Sequence, residues 1–303
     1  MVQPSFPDDL ESLAATFERK FRDLGPVRPL HVLGSGFRSV AVETPGGVVL
    51  RVGRSPDAVN DYAKEWRIGN FLVKRLGAIV PQPRWYAGPS AELPYGALGY
   101  RKLSGNTPAW GIDPGAAFAR DLGRFTARLH ELPVAEALAA GVPEADSYRR
   151  MLSAREVITP VLAGRLEAKA FARIEAWWIA FSADELMLAP RFAVCHHDLW
   201  HDNLVRSPSG RLSGVLDIAH VEVGDPAHDF PAPRYFGDPF MADLVAAYRV
   251  AGGQFDASDR HRAQRFHEAR EFGGLAWAIE HSDSREIDAA VDKIIRGRIL
   301  AAP

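Results

Sequence analysis

The octet His196–Asn203, followed by Asp217, constrains this chain more than any other stretch. Asp198 and Asn203 stand five apart on one loop, and Asp217 comes fourteen residues after Asn203. Phosphoryl transfer demands this set: a carboxylate beside the attacking hydroxyl and two oxygen ligands to hold Mg²⁺ against a nucleotide's phosphates. The flanking sequence supports the spacing. Phe192–Cys195 reads as a short buried strand entering the loop and Asn203–Arg206 as a strand leaving it. Ser207–Gly210 is a hairpin turn and Leu212–Leu216 the return strand, which brings Asp217 back beside Asn203.

The loop residues divide by role. Asp198 accepts or orients the proton of a hydroxyl, and Asn203 and Asp217 bind Mg²⁺. Taken singly, each is also an ordinary turn residue. His196 braces the loop, and His197 and His201 fit no zinc pattern. Downstream, Asp225-Pro226 is a helix-start signal, and one of Asp225 and Asp229 hydrogen-bonds the loop from below.

Upstream, Leu30–Leu33, Ser39–Glu43 and Val48–Val52 are short strands punctuated by glycine turns. The turn holding Gly34, Ser35, Gly36 and Ser39 is either a plain hairpin or a backbone cradle for phosphate. It is not a Walker loop, because no Gly-Lys-Ser/Thr follows. Strand alternation puts Val49 and Arg51 on one face. Arg51 then either faces solvent or serves phosphates under a roof at Val49, and Glu65, one helix later, is either exposed or orients Arg51. Ser55-Pro56 caps that helix, whose apolar face is Tyr62, Trp66, Gly69, Val73 and Leu76.

Val80–Pro83 ends the helix, and residues 84–103 return to strand-like sequence. Helical periodicity takes over after residue 105. Asp113-Pro114 opens a stripe of Phe118, Leu122, Phe125, Leu129 and Leu132; further helices are expected at 165–182, 239–251, 259–281 and 285–300. Trp177 and Trp178 read as core. A β-rich lobe therefore precedes a helical one, with a ligand crevice between them.

Composition narrows the partners. At 303 residues, net charge −2 and pI near 6.6, nothing points to nucleic acid or an anionic membrane. Cys195 is the lone cysteine, so no internal disulfide forms; it reads as a small buried residue. Residues 1–9 lack the segments of a signal peptide and no apolar run reaches spanning length, so a cytoplasmic protein is expected.

The motifs His196-x-Asp198-x4-Asn203, Val215–Asp217 and Gly224-Asp225-Pro226-x-x-Asp229 together resemble the aminoglycoside phosphotransferase family of protein-kinase-like enzymes. Upstream, in the same order, Leu33–Gly36 is similar to its nucleotide loop and Val48–Arg51 to its phosphate-contact strand, with Glu65 as the helix partner. Val80–Pro83 and Gly99–Gly105 are similar to the hinge region, and Leu122–His130 to the helix before the catalytic loop. The match spans about residues 28–250.

The resemblance implies an α+β, bilobal kinase-like fold: a small antiparallel-sheet lobe at 1–103 that binds nucleotide, and a larger helical lobe at 104–303 with the catalytic loop and acceptor helices. It implies a monomer using ATP or GTP with Mg²⁺, the base held by backbone near Arg101 and Leu103, and transfer to a hydroxyl of a small molecule. An aminoglycoside antibiotic, a macrolide or a metabolite is the expected acceptor; a non-catalytic nucleotide-binding scaffold is the rival reading.

Three departures stand out. Arg51 replaces the usual Lys, keeping the charge on a planar fork. Ser39 replaces the last loop glycine. His197 stands where Gly is common, and with Trp200 and His201 it is expected to shape the acceptor pocket. A polycationic acceptor would want carboxylates, for which Glu268, Glu271 and Glu280 are the candidates. Yet residues 256–303 hold nine acidic against eight basic residues, so no acidic field is evident.

Overall fold

Five strands, His31–Ser35 (β1), Ser39–Glu43 (β2), Val48–Gly53 (β3), Pro83–Ala87 (β4) and Ala97–Arg101 (β5), form one antiparallel sheet in the order β1-β2-β3-β5-β4. The structure is a computed structural model that describes residues 10–301 apart from Phe37 and Ala189; the N-terminal segment read above at 1–9 lies outside the described residues. Alternation along β3 sorts its side chains to two faces. Val48, Leu50 and Val52 pack with Leu13, Ala14 and Phe17 of a first helix, Leu10–Lys20 (α1). Val49 and Arg51 face the other way, toward Asp57–Leu76 (α2). The two faces of the sheet are thus covered by different helices, and Arg51 lies on the side that meets the rest of the chain.

Helix α2 departs from its sequence reading in two respects. Ser55 makes no side-chain cap, and the helix begins at Asp57. Its buried face is Tyr62, Glu65, Ile68, Gly69, Leu72 and Leu76, whereas Trp66 is exposed and stacks on Tyr86 at 5.6 Å. The face rotated because Glu65, not Trp66, has the buried partner. Burial of a charged residue for an ion pair is invisible to an apolar-periodicity reading.

The second lobe contains Ala116–His130 (α3), Val134–Ala139 (α4), Ser147–Arg165 (α5), Ala168–Ser182 (α6), Glu185–Leu188 (α7), Asp238–Val250 (α8), Ala257–Glu280 (α9), Ser284–Arg296 (α10) and Arg298–Ala301 (α11). Helix α3 starts two residues after Asp113-Pro114, because Asp113 accepts from the Gly115 N–H in a turn that precedes the helix. The last expected helix, 285–300, is broken at Gly297. Helices α1, α4, α5 and α7 were not anticipated. Helix α5 has few buried apolar residues (Met151, Ile158 and Leu162) and an internal Pro160, so its period is faint. Trp177 and Trp178 are core residues, stacked among Phe181 and Phe272.

Two short two-stranded antiparallel sheets complete the lobe. Ala193–Cys195 (β6) pairs with Glu222–Gly224 (β9), and Leu204–Arg206 (β7) pairs with Leu212–Val215 (β8). The segment after the sheet is tied to them by paired Asn106–Arg206 backbone bonds of 3.0 and 2.8 Å. Gly105, at φ 133, permits that approach: a Cβ there would lie 2.3 Å from the Arg206 carbonyl. No described helix is long and apolar enough to cross a membrane.

Helices α3 and α8 meet backbone to backbone at Gly123, where a Cβ would sit 2.3 Å from the Leu244 carbonyl. Gly123→Ala should therefore cost about 1–3 kcal/mol, the usual scale of overpacking. Gly164→Ala, in α5 with open space around it, should instead stabilise by about 0.4–1 kcal/mol. Urea unfolding of both variants checks the contrast.

Candidate active site

The loop leaving β6 is held from beneath by one buried carboxylate. Asp229 accepts the backbone N–H of His196 at 2.9 Å and of His197 at 2.6 Å, and its Oδ2 lies 3.0 Å from His130 Nε2. Burial works against its charge, but His130, His197 and His196 hold its carboxyl far below the usual range. Of the two acids read as braces, Asp229 is the one that reaches the loop. Asp225 caps the 3-10 turn Pro226–Asp229 through the Ala227 N–H and takes Arg262 Nε at 2.9 Å.

His196 is 1 % exposed and locks the loop from within. Its Nε2 lies 2.9 Å from the Leu216 carbonyl, and the Asp198 N–H donates to its Nδ1 at 3.3 Å. This pattern fits the neutral Nε2–H tautomer, consistent with burial pushing its pKa down. His197 has φ 66, a left-handed backbone, which explains why glycine would suit that position. Its ring turns inward, with Nδ1 3.0 Å from His228 Nδ1 and a buried, unpartnered Nε2. The structure thus places His197 under the loop rather than among exposed pocket residues.

The three chemistry-bearing residues converge. Asn203 Nδ2 donates to Asp198 Oδ2 at 2.8 Å and to the Asp198 carbonyl at 3.0 Å, fixing the carboxylate's direction. The Leu216 N–H donates to the Asn203 carbonyl at 2.7 Å, so the β7–β8 hairpin returns Asp217 to Asn203 as its spacing implied. Asp217 takes a left-handed conformation, φ 57, and opens the 3-10 turn Ile218–His220. Single ligand atoms of Asp198, Asp217 and His220 all lie within 4.8 Å of one another.

Arg51 joins this cluster to the sheet. Its Nη1 lies 2.6 Å from Glu65 Oε1 and its Nη2 lies 3.5 Å from Asp217 Oδ1. Glu65 is fully buried; that burial pushes its pKa up and Arg51 opposes the rise. Asp217 is held well below the carboxylate range, because Arg51, His220 and His196 outweigh its burial. Burial opposes a charge on His220, yet its bond to Asp217 and the field of Asp198 push it up to about 9. His220 was not singled out from sequence; its place three residues after Asp217 was the available signal.

The remaining candidates scatter. In the glycine loop, the Gly36 N–H donates to the Ser39 carbonyl at 2.9 Å and Arg54 Nη1 donates to Ser35 Oγ at 2.7 Å, with Gly34 in β1 opposite Ala41. Val49 is buried opposite Tyr100. The exposed Arg101 side chain donates to the Gly46 carbonyl at 2.9 Å, and Leu103 packs over Gly214 of β8. Trp200 and His201 lie in a ring cluster with Trp110 and Tyr235. Glu268 is taken up by Trp177 Nε1 and Gln264 Nε2, both at 2.8 Å, within the helix packing. Glu271 accepts from the Tyr235 hydroxyl at 3.3 Å, and Glu280 is exposed at the end of α9. No acidic cluster forms from these three. Trp110, Tyr235 and Arg270 were missed because they come from distant segments.

Comparison with known proteins decides the family. Residues 28–270 match the model of the phosphotransferase enzyme family. The chain belongs to that family. The phosphotransferase is 26% identical over 285 residues to the protein YcbJ of Bacillus subtilis (strain 168), covering 88% of this chain and 89% of that one. Its fold is the kinase-like fold. The GDP complex of an aminoglycoside 2'-phosphotransferase-IIIa variant superposes with TM-score 0.81 at 20% identity, over 95% and 97% of the two chains. Macrolide 2'-phosphotransferase MphH from Brachybacterium faecium superposes with TM-score 0.71 at 23% identity, over 97% and 99%.

A divalent cation fits the donor set. Two carboxylates and an amide oxygen are hard ligands, and Asp217 has cations 3.5 Å away at Arg51 and His220.

The half-buried His228 imidazole under the loop has a consequence for stability. Burial pushes His228 from 6.5 down to about 4. Below pH 6.5 the unfolded chain therefore takes up a proton that the folded chain refuses until about pH 4, so stability falls as pH drops across that window. Thermal melts from pH 7.5 to 4.5 should show His228→Asn losing less stability on acidification than the parent protein.

Proposed function

We propose that this phosphotransferase moves the γ-phosphate of ATP or GTP to a hydroxyl of a small molecule. The observation that carries the reading is the convergence of Asp198, Asn203 and Asp217 on one braced loop, opposite an Arg51 already oriented by Glu65. The nucleotide would lie between a lobe ending at residue 103 and one beginning at 104, under Val49 and the Gly34–Ser39 turn, its base near the backbone of Arg101 and Leu103. Solved structures of the same fold include complexes with GDP and kanamycin, with ADP, and with streptomycin and ATP. They support a nucleotide donor and a hydroxylated acceptor.

The residues then take distinct tasks. Asp198, aimed by Asn203, receives the proton of the acceptor hydroxyl as its oxygen bonds to the γ-phosphorus. The bond from that phosphorus to the bridging oxygen breaks, and the nucleoside diphosphate leaves. Arg51 offsets phosphate charge, and Glu65 keeps its fork directed. Asn203 and Asp217 would hold Mg²⁺, which when bound neutralises charge between the phosphates. Asp229 and His196 keep the loop rigid, so that Asp198 is pre-positioned.

Asp198→Ala should lower kcat by about 10²–10⁴-fold and leave nucleotide affinity near the parent value. Asp217→Ala should weaken Mg-nucleotide binding about tenfold or more. Diphosphate release and titration calorimetry check both; substantial transfer by Asp198→Ala would contradict the assignment of the base.

A further inference from the structure

Three segments remote in sequence, the catalytic loop among them, bring aromatic rings together, and a fourth adds a cation. The Trp110 ring lies 4.4 Å from Trp200 and 4.7 Å from Tyr235, centroid to centroid. Trp200 is two residues from Asp198 on the same loop, and His201 Nδ1, 3.3 Å from the Pro108 carbonyl, ties the Trp110 segment to it. The patch is therefore continuous with the site. It is also open: Trp110 is 50% exposed. Apolar surface kept in water at the edge of a site is what the apolar face of a ligand covers.

The charge bordering the patch is positive. The Arg270 guanidinium of α9 sits 3.7 Å from the Trp200 centroid and 5.1 Å from that of Tyr235. Its Nη1 is buried with no hydrogen-bond partner among the described residues, and no described carboxylate lies within ion-pair distance of it. His267, one turn earlier, also has a buried, unpartnered Nδ1. Burial and the guanidiniums of Arg234, Arg298 and Arg270 push His267 down to about 4, the mark of a cationic surrounding. Glu271, the next residue along α9, is turned to the Tyr235 hydroxyl, with Lys293 Nζ 3.9 Å away. A buried guanidinium N–H left without an acceptor, as at Arg270 Nη1, is costly, and an anion supplies the missing bond.

Resting on the phosphotransferase reading, we propose that the acceptor is a hydroxylated acid with a flat, apolar ring. The ring lies on Trp110, the anionic group pairs with Arg270, and the hydroxyl reaches Asp198. A polycation would instead meet like charge at Arg270.

The test is diphosphate release with Mg-ATP and Mg-GTP over three groups: hydroxylated aromatic acids such as 3-phenyllactate, neutral hydroxylated arenes such as 2-phenylethanol, and kanamycin. The acids should stimulate release most. Trp110→Ala and Arg270→Gln should each raise their KM about tenfold with a smaller change in kcat. Trp110→Phe and Arg270→Lys should recover part of that loss. Preference for kanamycin or for the neutral arenes, or a KM indifferent to both truncations, would overturn the proposal. Calorimetric titration with 3-phenyllactate and with kanamycin decides the class without turnover: tighter binding of kanamycin also overturns it. Failure here is separable from failure of the underlying reading. If nucleotide is still hydrolysed slowly in an Asp198-dependent way while no acid stimulates it, the acceptor class falls and phosphotransfer stands.

Discussion

One guanidinium joins the sheet lobe to the chemistry. Arg51 leaves the central strand β3 on the face away from α1, meets the fully buried Glu65 of α2 at 2.6 Å, and reaches to 3.5 Å from Asp217 in the other lobe. Removing one member of such a buried pair strands the other charge, at a cost of about 3–5 kcal/mol. The arrangement fixes more than affinity. It sets the register of α2 against the sheet, rotates Trp66 outward, and points one cation at the residue proposed to hold Mg²⁺.

The second constraint is the buried network beneath the loop. Asp229 ties two successive backbone N–H groups to His130, and His196 spans from the Asp198 amide to the Leu216 carbonyl. Both devices immobilise backbone rather than contact a ligand. They allow two left-handed non-glycine residues, His197 and Asp217, to persist at the site. Pre-organisation of this kind fits the proposal that a single carboxylate, aimed by one amide, serves as the base.

How much of this was legible in the sequence depended on locality. The β7–β8 hairpin and its return of Asp217 to Asn203 followed from residues within twenty positions, each with its own turn or strand signal. Alternation along β3 put Arg51 on the right face, but the choice between a solvent-facing and a paired Arg needed the position of α2. Helix α5 escaped notice for want of a clear apolar period, and α1 lies in a segment given no helical reading. The ring patch of Trp110, Trp200 and Tyr235 with Arg270 had no local signature at all, since it exists only where four segments meet. The glutamates expected to greet a polycation are partly consumed by packing, Glu268 by Trp177 above all.

In the proposed function, Arg51 and Asp217 act as one unit on the phosphates of a bound nucleotide. A double-mutant cycle measures it most directly: Mg-nucleotide affinity of Arg51→Met, Asp217→Asn and the pair, by titration calorimetry. Groups in contact should couple, so the double variant should depart from additivity by about 0.5–3 kcal/mol. Losses that simply add would contradict the account, leaving Arg51 and Asp217 as independent neighbours.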